Sequence, residues 1–129
     1  VAPHAGLFGR VEDVAQWALW LRGVLNGRIS SFVKQKTMEL FTHRQLPLAQ
    51  GDWGYLFMKP TLGKSSCGRF FSRKSFGHTG FTGTSVWFDP VKDRIVIVLS
   101  NRIYPTREKR EFVKLRPQIH NWAIQSVET

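Results

Sequence analysis

The sequence predicts an α+β fold in which the antiparallel strands of one sheet are covered by helices. Three patterns support this prediction: an amphipathic helical pattern early in the chain, two strand patterns joined by a turn, and a second helical pattern near the end. The chain has 129 residues, which allows one domain, and its hydrophobic fraction of 42% is sufficient for a core. Its apolar runs fall short of the roughly 18 residues that a membrane-spanning helix needs, so no membrane span is expected.

Two helices are predicted in the first third of the chain. Over Val11–Leu25, apolar residues recur at spacings of three and four, as on one face of an amphipathic helix. Asn26 and Gly27 then supply a C-terminal stop. A second helix is expected to begin at Ser30 or Ser31, because either hydroxyl can cap it, and to carry the apolar residues that follow.

The middle of the chain offers one strand and a long connection. Residues 53–58 are predicted to form a strand, because an aromatic and apolar run lies between a Gly-Asp turn and Pro60. Residues 61–75 are rich in Gly, Ser, Lys and Arg, and they are expected to form a surface excursion or a loose hairpin.

The clearest strand pattern follows. Residues 84–88 predict a strand, the Asp-Pro pair that opens residues 89–93 predicts a turn, and residues 94–100 predict a second strand. The apolar run in that second strand favours burial on both of its faces. A final helix is expected over residues 106–127, where Pro117 should kink or interrupt it.

Basic residues outnumber acidic ones by 19 to 9, which gives a formal net charge of +10. Five basic residues and no acidic residue lie between Asp52 and Asp89, and a second basic cluster covers residues 102–116. This charge favours an anionic partner, such as nucleic acid, phosphate, anionic lipid or a carboxylate substrate. A solvated basic surface is the simpler explanation of each cluster taken alone.

The sequence predicts neither a metal centre nor a cofactor. Its one cysteine, Cys67, excludes an internal disulfide and a cysteine-rich zinc site. His4, His43 and His120 lack the paired spacing of metal ligands and are interpreted as structural.

Residues 77–85 are the densest run of small and hydroxyl residues, and they lead directly into a predicted strand. Their three glycines let backbone amides approach a ligand closely, and their hydroxyls can bind a carboxylate or an oxyanion. Composition alone leaves a second interpretation open, namely a glycine-rich turn that enters a strand.

Residues 77–90, followed by residues 95–102, resemble the C-terminal part of the serine β-lactamase-like family. That family includes class C β-lactamases, D-alanyl-D-alanine carboxypeptidases and related esterases. Residues 4–15 resemble its small-residue turn that leads into a helix, and residues 53–55 resemble its aromatic-glycine strand. The similarity is collinear over most of the chain and weakest over residues 59–75.

The resemblance implies an acyl-transferring serine hydrolase with the C-terminal part of a β-lactamase/transpeptidase-like fold. His78 stands where the family more often has lysine, and it would place a donor or a positive charge near a substrate carboxylate and the catalytic proton network. The hydroxyl of Thr79 would bind that carboxylate, and Gly80 would leave room for the substrate backbone. The amide of Phe81 would supply one of two oxyanion donors.

Asn101 and Arg102 end the second predicted strand in a basic corner. They are expected to help hold a substrate carboxylate. The alternative, an asparagine that turns the chain beside a surface arginine, stays equally open.

The family's nucleophile lies in a Ser-x-x-Lys motif that precedes a Tyr-x-Asn motif, both upstream of the region that this chain resembles. Residues 31–34 match Ser-x-x-Lys literally, but chance supplies such a match, and Ser31 is interpreted as a helix cap. No Tyr-x-Asn occurs. The resemblance therefore implies that residues 1–129 are a single segment of a larger catalytic domain, its C-terminal portion, and that this chain alone is inactive.

The expected partners are a small-molecule or peptidoglycan-peptide substrate, the N-terminal portion of the same enzyme, and further copies of the chain through uncovered apolar surface. A non-catalytic family member that binds a cell-wall ligand is one alternative. A basic nucleic-acid-binding domain is another, but nucleic acid is not the expected partner, because no helix has an uninterrupted basic face. Relatives that act on cell walls are extracytoplasmic, which favours the same location here.

Overall fold

The sheet occupies the second half of the chain, and helices lie on both of its faces. A computed structural model describes residues 5–108 and 110–128, so that His4 lies outside the described part. Within it the elements are α1 (Val11–Leu25), α2 (Gln35–Thr42), β1 (Phe76–Thr79), β2 (Ser85–Asp89), β3 (Arg94–Val98) and α3 (Glu111–Gln125). The strands form one antiparallel sheet in the order β1-β2-β3, which confirms the predicted α+β class.

Strand β2 joins the two layers of the core, because its successive side chains point to opposite faces of the sheet. Phe88 and Val86 pack with the buried residues of α1 and α2. Trp87, which is fully buried, packs with Ile124 of α3 on the other face. The cluster beneath α1 and α2 consists of Ala18, Leu21, Val24, Met38, Phe57, Phe76 and Phe88.

Helix α1 has the bounds that the apolar spacing predicts, Val11–Leu25. It stops at Asn26 and Gly27, and the latter takes the left-handed backbone conformation that glycine allows, with φ of +66°. At the other end no hydroxyl is available as a cap. The carboxylate of Asp13 instead accepts the amide hydrogen of Arg10 at 3.0 Å.

The predicted start of α2 is wrong, because the helix begins at Gln35, after Lys34, instead of at Ser30 or Ser31. The hydroxyl of Ser31 accepts the amide hydrogen of Val33 at 3.3 Å, which closes a local turn. Such side-chain-to-backbone bonds compete with helix formation, so the helix starts only after the turn.

The strand predicted over residues 53–58 is also not formed. Trp53 pairs with Met58 in an isolated bridge, and Met58 pairs with Gly77 of β1. Between them, Gly54 donates to the carbonyl of Phe57 at 2.8 Å and turns the chain back on itself. A Cβ atom at Gly54 would meet backbone carbonyl oxygens at the end of α2, so only glycine fits this close approach.

Residues 61–75 contain no helix or strand, so the predicted hairpin is not formed, and they are not a mere surface excursion. Cys67 and Phe71 are buried in the core against Trp87. Burial raises the pKa of the Cys67 thiol to about 11, so the thiol stays protonated and unreactive.

Strand β3 and helix α3 are shorter than predicted. In β3, Ile95 and Ile97 contact the α1 layer and Val96 contacts the α3 layer, as two-faced burial requires. Every β3 residue is nevertheless only half-buried, because β3 forms an edge of the sheet that the structure describes. Helix α3 begins at Glu111 and continues through Pro117.

A buried lysine fixes the chain that leads into β1. Lys59 is 4% exposed, and its Nζ donates to the carbonyls of Thr42 at 2.8 Å and Lys74 at 2.9 Å. The same ammonium group lies 5.5 Å from the centre of the Phe76 ring. Burial, followed by the charge of Arg44, lowers the pKa of Lys59 to about 8. The end of α2 is thereby tied to the first residue of β1.

Candidate active site

Strand β1 carries the predicted triplet along an edge of the described sheet. His78 lies opposite Val86 of β2 and is exposed. Its ring meets the ring of Trp53 edge to face, with 5.6 Å between the ring centres. Its Nδ1 atom lies 2.9 Å from the carbonyl oxygen of Thr79. The imidazole therefore faces outward, where it can meet a ligand.

The two residues after His78 end the strand and open a turn. The hydroxyl of Thr79 is half-buried and reaches the Sδ atom of Met58 at 3.7 Å. Gly80 donates its amide hydrogen to the carbonyl of Thr84 at 2.7 Å, which closes the turn that joins β1 to β2. A Cβ atom at Gly80 would overlap the Thr84 hydroxyl, so this position requires glycine unless Thr84 moves.

The carbonyls at the two ends of this turn are held by an arginine of α3. Arg116 is 5% exposed, and its Nε atom donates to the carbonyl of Gly83 at 3.1 Å. Its Nη2 atom donates to the carbonyl of Gly80 at 3.3 Å. Burial, followed by the charge of Arg102, lowers the pKa of Arg116, and the guanidinium still stays charged.

The two central carbonyls of the turn are held from the segment that follows β3. Arg102 donates from Nε to the carbonyl of Phe81 at 2.7 Å, and its amide donates to the carbonyl of Thr82 at 2.9 Å. The hydroxyl of Ser100 donates to the same Thr82 carbonyl at 3.0 Å. The guanidinium of Arg102 also stacks over the Phe81 ring at 4.7 Å.

The amide groups of the turn differ from its carbonyls in their hydrogen bonding. Within residues 5–108 and 110–128, the N–H groups of Phe81 and Thr82 have no hydrogen-bond acceptor. The two amides are consecutive, and Phe81 is 61% exposed. Consecutive backbone N–H groups of this kind form a site for an anion.

The structure brings some of the predicted site residues together and leaves one apart. His78, Thr79, Gly80 and Phe81 are consecutive at the end of β1, and Arg102 contacts Phe81 directly. Asn101 is exposed, and its carbonyl accepts the Tyr104 amide at 3.4 Å. An open depression of about 430 Å³ lies beside this group and is lined by Phe81, Arg102, Arg107, Glu108, Arg110 and Val113.

Sequence reasoning missed Arg116, although its position carried a usable pattern. Arg116, His120 and Ile124 are spaced by four along α3, and all three are buried. An arginine on the buried stripe of a helix needs internal hydrogen-bond acceptors, which is an indication that it binds another part of the chain. Its actual partners are 33 and 36 residues away in the sequence, so the pattern alone does not identify them.

His120 is structural, in agreement with the sequence interpretation. It is fully buried, and its Nε2 atom lies 2.9 Å from the hydroxyl oxygen of Ser85. Burial lowers the pKa of His120 to about 4, so the ring is neutral near pH 7. Ser85 belongs to the hydroxyl-rich motif, but its hydroxyl is therefore directed into the core.

No group of three or more His, Cys, Asp or Glu side chains in the described part of the chain is arranged to hold a metal ion. Among the helices there, none is long and apolar enough to cross a membrane.

Comparison with solved structures defines the class of fold. The crystal structure of a beta-lactamase from Mycobacterium bovis superimposes with a TM-score of 0.66 at 24% sequence identity, over 88% of this chain and 43% of that protein. At this identity the similarity shows a β-lactamase-type fold.

Comparison of sequences defines the family. The Beta-lactamase family model matches residues 1–116, and the chain belongs to this family. Proteins of Salmonella agona and Salmonella newport, each named "Putative D-alanyl-D-alanine carboxypeptidase", are 34% identical to it over 110 residues. The match covers 79% of this chain and 24% of each relative, so the chain corresponds to about a quarter of their length.

Proposed function

We propose that this chain is the C-terminal part of a serine hydrolase of the β-lactamase-like family, with the nucleophile outside the chain. The observation that carries the proposal is the pair of consecutive amides, at Phe81 and Thr82, that lack an acceptor within the described residues. They follow the exposed His78 and the Thr79 hydroxyl, with Gly80 between, at the end of an edge strand of the described sheet. Family membership supports the same reading.

The amides can stabilise the negative charge that develops on the substrate oxygen during acyl transfer. When a serine oxygen bonds to the carbonyl carbon of a substrate, the π-electron pair moves to the carbonyl oxygen, and the serine proton passes to a neighbouring base. The Phe81 N–H, with the amide of the serine itself, would stabilise that oxyanion. Collapse of the intermediate breaks the bond to the leaving nitrogen or oxygen, which takes up a proton, and water then hydrolyses the acyl ester. The substrate would be a β-lactam, a D-alanyl peptide or an ester.

The other site residues would bind and orient the substrate. His78 would offer a donor to the substrate carboxylate and to the catalytic proton network, since its ring is exposed. Thr79 would bind the carboxylate through its hydroxyl, and Gly80 would leave room for the substrate backbone. Arg102, which stacks against Phe81, would add a positive group for the substrate carboxylate, and Asn101, exposed and next to Arg102 in the chain, would add a polar group.

Exposed apolar surface supports a further portion of the same enzyme as partner. Leu7 and Phe8 are fully exposed, and Trp17 of α1 is 42% exposed. Strand β3 is apolar, half-buried and an edge of the described sheet. The N-terminal portion of the enzyme would cover these groups, and in its absence the chain would associate with itself.

Removal of the Phe81 amide tests the proposal in the full-length gene product. The Phe81→Pro variant lacks the amide hydrogen, whereas Phe81→Ala lacks the ring but keeps the amide. With nitrocefin, a p-nitrophenyl ester and a D-alanyl-D-alanine peptide as substrates, we expect Phe81→Pro to lower kcat by about 10²- to 10³-fold on whichever is hydrolysed. Phe81→Ala should lower it far less.

Equal losses of kcat in the two variants, with both folded by circular dichroism, would contradict the amide's role. A non-catalytic family member that binds a cell-wall ligand is the second candidate, because the same two amides can hold a carboxylate without turnover. It would be favoured if the unmodified full-length protein binds a D-alanyl-D-alanine peptide by calorimetry and hydrolyses none of the three substrates.

A further inference from the structure

We infer that Arg116 is a positioning residue for the oxyanion donor: it fixes and polarises the peptide group whose N–H belongs to Phe81. This inference rests on the proposed function and deepens it. It assigns to a buried arginine of the last helix a part in the reaction that neither its residue type nor its place in the chain reveals.

The first step is covalent geometry. The N–H of Phe81 and the carbonyl of Gly80 belong to one planar peptide group. The Nη2 atom of Arg116 donates to that carbonyl at 3.3 Å, and the Gly83 amide donates to it at 3.1 Å. A carbonyl that accepts a bond from a cation is polarised, and the N–H at the other end of the same peptide becomes a stronger donor.

The neighbouring peptide group repeats the arrangement. The N–H of Thr82 shares its peptide with the carbonyl of Phe81, which accepts from Nε of Arg102 at 2.7 Å. Two consecutive peptide groups thus have a guanidinium bound to the carbonyl and an N–H without an internal acceptor in the described part of the chain. Each arginine therefore acts on an N–H donor through the carbonyl of the same peptide group.

The charge of Arg116 also favours an anion at the turn. No carboxylate in the part of the chain that the structure describes forms an ion pair with Arg116. Among the described residues, its guanidinium is bound only by the carbonyl dipoles of Gly80 and Gly83. In a buried position, 5% exposed, a charge left without a counter-ion acts more strongly on its surroundings than it would in water. An oxyanion bound by the Phe81 amide would supply the missing negative charge.

The test compares Arg116→Gln with Arg44→Gln in the full-length gene product. Arg44 serves as the control, because it too donates to two backbone carbonyls, those of Gly51 and Pro60, but it pairs with the Asp52 carboxylate and bonds to no carbonyl of the turn. We expect Arg116→Gln to lower kcat by about 10- to 100-fold, with KM changed less than about threefold. Arg44→Gln should keep kcat within about twofold while it is folded.

A second measurement separates positioning from a loss of structure. A boronic acid whose adduct with serine mimics the tetrahedral intermediate should bind Arg116→Gln more weakly, by the same factor as the loss in kcat. The affinity for the carboxylic acid product should stay the same. Arg116→Lys keeps the positive charge and is expected to recover part of kcat. This variant also tests the inference if Arg116→Gln does not fold.

The outcomes distinguish this inference from the proposed function. If the unmodified protein hydrolyses a substrate, and folded Arg116→Gln or Arg116→Lys keeps the full kcat and boronate affinity, the positioning role is wrong and the proposed function stands. Equal losses of kcat in Arg116→Gln and Arg44→Gln would also overturn it. If the unmodified protein hydrolyses nothing, the proposed function fails, and the inference fails with it.

Discussion

In the two turns of the sheet, opposite kinds of side chain form hydrogen bonds with the backbone. In the turn that joins β2 to β3, the buried carboxylate of Asp89 accepts the amides of Val91 at 3.0 Å and Lys92 at 3.3 Å. The same carboxylate accepts the amide and the hydroxyl of Ser72, at 2.8 and 2.7 Å. In the turn that joins β1 to β2, cationic side chains instead bind the carbonyls, and two amides are left over.

This difference separates a structural turn from a candidate binding site. Buried amides need acceptors, and the chain supplies one at Asp89. At Phe81 and Thr82 the chain supplies no acceptor among the described residues, while its arginines at 102 and 116 bring positive charge to the other side of the peptide groups. Under the proposed function, an external anion would complete the second turn in the way that Asp89 completes the first.

The largest expected effect comes from removal of the internal anion. Asp89→Ala leaves two turn amides and the Ser72 groups without their acceptor, and should lower the free energy of unfolding by about 4 kcal/mol. Asp93→Asn is the matched control in the same turn, because the Asp93 side chain is 61% exposed and should cost less than about 1 kcal/mol. Urea unfolding of both variants measures the difference. Equal losses would mean that Asp89 does not hold its turn as described.

Acid should affect the two turns unequally. Burial lowers the pKa of His120, which bonds to Ser85 at the start of β2, from 6.5 to about 4. Burial alone would raise the pKa of Asp89, but the bonds from Ser72, Val91 and Lys92 together outweigh it and lower the pKa. Between pH 6.5 and 4 the carboxylate thus stays charged, while the unfolded histidine takes up a proton that the folded one excludes.

The sign of the His120 effect follows from this linkage. The unfolded state binds more protons in this window, so stability is complete above about pH 6.5 and falls as the pH approaches 4, by up to about 3 kcal/mol. Urea unfolding at pH 7 and pH 4.5 measures the loss. His120→Gln should show a smaller loss than the unmodified chain, and His43→Gln, at an exposed position, the same loss. An unchanged loss in His120→Gln would contradict the assignment.

Local patterns were sufficient where local bonds decide the structure. The 15 residues of α1 and their Asn-Gly stop were predicted to the residue, because apolar spacing and the C-terminal glycine act within one helix. The β2–β3 hairpin followed from its strand patterns and Asp-Pro turn. The predicted start of α2 was wrong because Ser31 closes a turn. The predicted strand over residues 53–58 was wrong because Gly54 packs on the end of α2.

The candidate site shows the same limit. The run from His78 to Phe81 could be predicted because one short motif contains it. The carbonyl partners of Arg116 could not, since the bonds to Gly83 and Gly80 span 33 and 36 residues and exist only once α3 has packed onto the sheet. A buried arginine needs hydrogen-bond acceptors, and only the fold determines which carbonyls those are.

The smallest expected effect is at Ser31, the one literal match to the family's nucleophile motif. Its hydroxyl accepts the amide of Val33 at 3.3 Å, so it is used internally, as the Asp89 carboxylate is. We expect Ser31→Ala to leave turnover by the full-length gene product unchanged and to alter the free energy of unfolding by less than about 1 kcal/mol. Kinetic assay beside urea unfolding measures both quantities. A large loss of turnover in a stably folded Ser31→Ala protein would place the nucleophile within this chain, and the two open amides would then serve a serine beside α2.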